Sequence, residues 1–163
     1  MVFKVSFKDS PKNQSKFAVV SGKKVAVRIC GTVSLPEIWK YIPEGIIRWM
    51  TEEQNFISGD EDIANNVFHI HADGFARCHE EDKFDYIFGE RLAEARAKYK
   101  IYKFFYKFTC KLCDYYDNLL FGSWGVANNG EGSCLAQDVK KYEALCIREA
   151  NHIDELLKDK ENG

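Results

Sequence analysis

No uninterrupted apolar run in this 163-residue sequence approaches the roughly 20 residues that span a bilayer, and Met1 to Asp9 alternates where an export signal would carry an apolar core. A cytoplasmic chain with no membrane insertion is therefore expected. Charge of neither sign is in excess. The 23 Lys and Arg stand against 25 Asp and Glu, a formal net charge of -2 that argues against a general basic coat for nucleic acid. Catalytic signatures are also missing. There is no Gly-x-Ser-x-Gly and no His-Glu-x-x-His, and no cysteine has a histidine placed by pattern to activate it. Gly122, Gly125, Gly130 and Gly132 lack the preceding strand and following Lys-Ser/Thr of a phosphate loop. No internal repeat or low-complexity segment occurs. The residues point away from an enzyme, and no cofactor is expected.

What is present suits one soluble domain spanning 1–163. A 45% hydrophobic and 14% aromatic composition supplies a core without disulfides or metal. The six cysteines, Cys30, Cys78, Cys110, Cys113, Cys134 and Cys146, are read as reduced thiols that pack as small hydrophobes.

Periodicity predicts an α+β fold: an N-terminal antiparallel sheet with a short helix, then two long C-terminal helices packed as an antiparallel pair. Residues 1–79 read mainly as strands. Phe3, Val5 and Phe7 alternate with polar neighbours, and Phe17 to Val20 and Lys24 to Ile29 flank a Ser21-Gly22-Lys23 hairpin turn. Ser34-Leu35-Pro36-Glu37 has the form of a capping box, and Pro43 should break or kink the helix it opens. Ser58 to Asn66 is a polar connector. Val67 to Arg77 then alternates, with Phe68, Ile70 and Ala72 on one side and His69 and His71 on the other.

An acidic start at Asp82 to Asp85 leads into a helix over 80–121 with two adjacent apolar rows, about 60 Å long if unbroken. That length calls for a bend or a second copy of the chain, and a homo-oligomer is expected. A glycine and asparagine loop, 122–133, separates it from a last helix over 134–160, with Ser133 as a candidate N-cap.

Two constellations can carry chemistry. His69 and His71 share a strand face, with Cys78 and His79 close behind. Together with Cys110 and Cys113 they would supply the ligands of one tetrahedral zinc site. The Cys110-x-x-Cys113 step falls within a continuous helical pattern, however, so the reading adopted is core cysteines with surface histidines and no metal. The acidic run Glu80, Glu81, Asp82 and Asp85 is explained by the helix dipole. The feature with most weight is a basic row: Arg96, Lys100, Lys103, Lys107 and Lys111 recur at helical spacing, flanked by Tyr99, Tyr102 and Tyr106, with Arg91 nearby. Cations pair phosphates and aromatics stack on bases, so Arg91, Arg96, Tyr99, Lys100, Tyr102, Lys103, Lys107 and Lys111 are the candidate ligand-binding site, set against a merely solvated helix face.

From Gly74 through Cys78, Asp82 and Phe84-Asp85 to Gly89, Leu92-Ala93 and Arg96-Ala97, the chain resembles small bacteriophage and prophage proteins of Gram-positive bacteria, some described as having a double-stranded-RNA-binding-like fold. The likeness covers 24 residues, 74 to 97. The outline of a sheet followed by two helices is also similar to the phage anti-Thoeris sponges, which sequester nucleotide signals without cleaving them. The resemblance implies a phage or mobile-element protein that inhibits a host antiviral defence component. Its target would be a protein effector such as a CRISPR nuclease, met through aromatic anchors such as Trp124, Phe104 and Tyr115, or a nucleotide second messenger. A nucleic-acid-binding module and a small zinc-dependent enzyme are the alternatives.

Overall fold

The computed structural model describes residues 4–6, 9–10, 13–14, 16–34, 43–50, 57–58, 67–122 and 131–162. The chain is α+β. Among the described residues seven strands, β1 (Lys4–Ser6), β2 (Asp9–Ser10), β3 (Asn13–Gln14), β4 (Lys16–Ser21), β5 (Lys24–Ser34), β6 (Ile57–Ser58) and β7 (Val67–Arg77), accompany three helices, α1 (Glu44–Arg48), α2 (Tyr86–Gly122) and α3 (Glu131–Asn162). Strand β5 is the spine of the sheet. It pairs antiparallel with β4 and β1 in tandem along one edge and with β7 along the other, while β6 adds two rungs to the far edge of β7. β2 and β3 form a separate two-stranded ribbon.

Alternation decides which face of the sheet is buried. Val25, Val27 and Ile29 point inward from β5, opposite Ala76, Gly74 and Ala72 of β7. The β4–β5 hairpin closes on Gly22 at φ +58°, a conformation open to glycine and costly for a side chain. At the tip of the same hairpin, the Lys23 ammonium donates to the carbonyls of His79, Glu80 and Asp82 and so fixes the turn that leads into α2. Asp85 then caps that helix, its Oδ1 accepting from the Phe88 amide at 3.1 Å.

Helix α2 lies across the inward face of the sheet through small residues. Ala93 and Ala97 are fully buried, and a Cβ placed on Gly74 would stand 1.8 Å from the Ala93 carbonyl oxygen. Further along, Ile101, Phe105, Phe108 and Leu112 continue the core, joined by Met50 beside α1 and by Tyr142 of α3. Phe105 is the joint between the two long helices, edge-on to Phe104 at 5.3 Å and stacked on Tyr142 at 5.3 Å.

Helix α3 runs antiparallel to α2. Tyr142 meets Phe105, Arg148 lies over Tyr102, and Lys160 returns to Asp82 and Phe88. The apolar surface of α2 that suggested a second copy is thus covered, over these residues, within one chain. Among the described residues no helix is long and apolar enough to cross a membrane.

One boundary, the start of α3, differs from the sequence reading. Ser34 ends β5, paired with Lys4 and Val67. Pro43 stands at the N-cap of α1, its carbonyl accepting from the amides of Ile46 and Ile47, so a helical segment starts at the position where a break was expected. α3 begins at Glu131, which puts Ser133 inside the helix and removes it as a cap. The capping box beyond Ser34, most of the 58–66 connector and Trp124 lie outside the described residues.

Candidate functional site

The basic row of α2 divides in two. Its first half is committed to the sheet. Beyond the two rungs that β6 supplies, β7 has no further strand beside it among the described residues, and helix side chains take up its outward carbonyls. Arg96 Nη1 donates to the Phe75 carbonyl at 2.6 Å and Lys100 Nζ to the Asp73 carbonyl at 2.6 Å. These bonds satisfy an exposed strand edge and lock α2 against it. The second half, Lys103, Lys107 and Lys111, remains exposed over more than two helical turns. Lys103 lies 5.8 Å from the Tyr99 ring and Lys111 5.0 Å from the ring of Trp49. Arg91 is exposed near the start of the helix, apart from both groups.

The tyrosines beside the row turn toward α3. Tyr102 and Tyr106 are partly buried against the core, with the Arg148 guanidinium 6.0 Å from the Tyr102 ring. The hydroxyl of Tyr106 lies near Cys110 and Glu143, whose charges raise its pKa. Neither ring is an open stacking platform. Phe104, expected as an interface anchor, is buried, stacked on Trp49 at 5.5 Å and on Phe108 at 6.1 Å. Tyr115 keeps about a third of its surface exposed, at 37%.

The histidine and cysteine residues are scattered. His71 lies on the outer face of the sheet. The Cys78 thiol is 3.6 Å from the Asp82 carbonyl oxygen, and Cys113 packs against the core on the opposite side of the sheet. Burial pushes the thiols of Cys110, Cys146 and Cys30 above their usual pKa, which lowers their nucleophilicity at neutral pH. Among the described residues no three metal-ligating side chains gather into a site. The side chains of His69 and Cys134 lie outside the described residues.

Comparison with known proteins returns no matching family model, no matching curated protein and no matching solved structure.

A second surface went unread in the sequence. The face of the sheet turned away from α2 is open, with Val19 64% and Phe75 43% exposed beside a concavity of about 410 Å³ whose lining includes Val19, Ala26, Arg28, Asp73 and Phe75. Arg28 grips Asp73 with two parallel bonds, Nε to Oδ1 at 2.7 Å and Nη2 to Oδ2 at 2.9 Å. This grip holds the Asp73 carboxyl below the ordinary carboxylate range and raises the pKa of Arg28. The one signal available in the sequence was an aromatic residue, Phe75, on the polar side of an alternating strand.

Proposed function

We propose that this protein works by binding and holding an anionic partner, in the manner of a phage or mobile-element protein that neutralises a component of host antiviral defence, whether a protein effector or its nucleotide signal. The observation that carries the reading is the exposure of Lys103, Lys107 and Lys111 along one face of a helix that is fixed on both flanks. The Arg96 and Lys100 bonds fix it to β7, and the Phe105 and Tyr142 stack fixes it to α3. A pre-positioned line of ammonium groups raises the encounter rate with an acidic surface and orients it, and only a small conformational cost remains to be met on binding.

The test is the triple substitution K103E/K107E/K111E. Lys100 is left alone because its ammonium holds the β7 edge. The folded state should persist, since exposed lysines contribute little to stability. Affinity for the partner should fall by about tenfold or more, and protection of a phage from the defence should be lost with it. A salt series identifies the partner class. Steep loss of affinity as salt rises marks a polyanion, while a shallow dependence marks a small nucleotide held by few contacts. If the triple variant protects as well as the parent, these lysines are a solvated helix face.

A further inference from the structure

The open face of the sheet carries three successive cross-strand rungs of different chemistry: Arg28 opposite Asp73, Ala26 opposite Phe75, and Lys24 opposite Arg77. From these rungs we infer a second binding site, for a free nucleoside phosphate, in which the base lies on Phe75 and the phosphate sits between Lys24 and Arg77. The site is separate from Lys103, Lys107 and Lys111 and stands or falls without them.

Three features support this assignment. The first is charge. Lys24 and Arg77 face each other directly across the strands, an arrangement that destabilises a sheet unless something negative lies between the two side chains. The Lys24 ammonium lies over the Phe75 ring at 4.7 Å and that of Lys100, bonded to the Asp73 carbonyl, lies at 5.7 Å, so a base stacking on the ring displaces the Lys24 ammonium toward Arg77. Among the described residues, the three rungs of this face carry Lys24, Arg28 and Arg77 against the carboxylate of Asp73.

The second feature is the flat floor. Phe75 is exposed where an antiparallel strand would ordinarily present a polar residue. Beside it the Arg28 guanidinium, held by Asp73 in a planar two-bond grip, presents a delocalised face suited to stacking. The third is spacing. Successive rungs on one face lie about 6.6 Å apart, the order of separation between a base and its 5′ phosphate. The concavity of about 410 Å³ lies at the Arg28, Asp73 and Phe75 rungs, next to the Lys24 and Arg77 rung, and suits the base and sugar of a small ligand, while the basic track needed to follow a long strand does not extend along the described part of this face.

Isothermal titration with ADP, adenosine and inorganic phosphate tests the assignment, using the whole chain and the variants Phe75→Ala, Phe75→Trp and Arg77→Glu. ADP should bind one per chain, and both half-ligands should bind much more weakly. Phe75→Ala should weaken ADP binding by about tenfold or more, the usual effect of removing a stacked aromatic, and Phe75→Trp should restore it. Arg77→Glu should weaken ADP while leaving adenosine unchanged, a split that a merely structural role would not give. K103E/K107E/K111E should bind ADP like the parent. The assignment is overturned if the parent fails to bind ADP at millimolar concentration, if Phe75→Ala binds it unchanged, or if the α2 triple variant alone loses it. It is also overturned if a single-stranded oligonucleotide binds this face and ADP does not.

Discussion

Replacing Gly74 with alanine is expected to destabilise the fold by about 3 kcal/mol or more, an effect at the upper end of overpacking substitutions. The added methyl would stand 1.8 Å from the Ala93 carbonyl oxygen and 2.7 Å from the Ala97 amide nitrogen. Both obstacles are backbone of α2, so no side-chain rotation relieves the clash and the helix has to lift off the sheet. Lifting it opens gaps beside Ala93 and Ala97 and stretches the Arg96 and Lys100 bonds to β7. For a chain of this size the loss corresponds to a fall in Tm of roughly 6–12 °C. Because the clash is with main-chain atoms, adding Ala93→Gly should not rescue the variant. A Gly74→Ala protein whose urea midpoint matches the parent would show that α2 does not sit this close to β7.

The second large effect is at the joint between the long helices. Phe105→Ala should cost about 3–5 kcal/mol, the range for truncating a fully buried aromatic. Phe105 has no exposed surface and is in ring contact with both Phe104 and Tyr142, so its loss leaves a cavity between α2 and α3 that large neighbouring rings are slow to fill. The informative contrast is Phe75→Ala, the same chemical change at a ring that is 43% exposed, where the stability loss should be far smaller. Chemical unfolding of the two variants side by side measures the difference. Equal losses would contradict the division into a buried helix joint and an open sheet face.

These two positions also mark what a sequence can and cannot express. The β4–β5 hairpin was legible because Gly22 sits between two apolar strands, and β7 because Phe68, Ile70 and Ala72 alternate with His69 and His71. α2 was legible from its sustained apolar rows. All of these are local patterns. Gly74 gave no such signal, since nothing in its neighbourhood shows that a helix backbone will pass against it. The basic row was found, but not its division. A lysine at helical spacing reads the same whether its ammonium meets water, as that of Lys107 does, or a strand carbonyl, as that of Lys100 does. The outer sheet face was missed for the same reason. Arg28 and Asp73 are 45 residues apart, and only the register of β5 on β7 makes them partners. Ser133 went the other way: it had the residue type of a helix cap, and an earlier helix start overrode it.

The central claim is that the chain holds an anionic partner and leaves it unaltered. Native mass spectrometry of the protein after exposure, at low salt, to the small-molecule and protein fractions of a defending host tests this most directly when followed by release and weighing of whatever is bound. The account predicts a discrete added mass on the parent chain, reduced in K103E/K107E/K111E or in Phe75→Ala according to which surface holds it, and a released partner identical in mass to the one in untreated extract. A parent chain that carries no added mass from either fraction, or that returns its partner chemically changed, would contradict it.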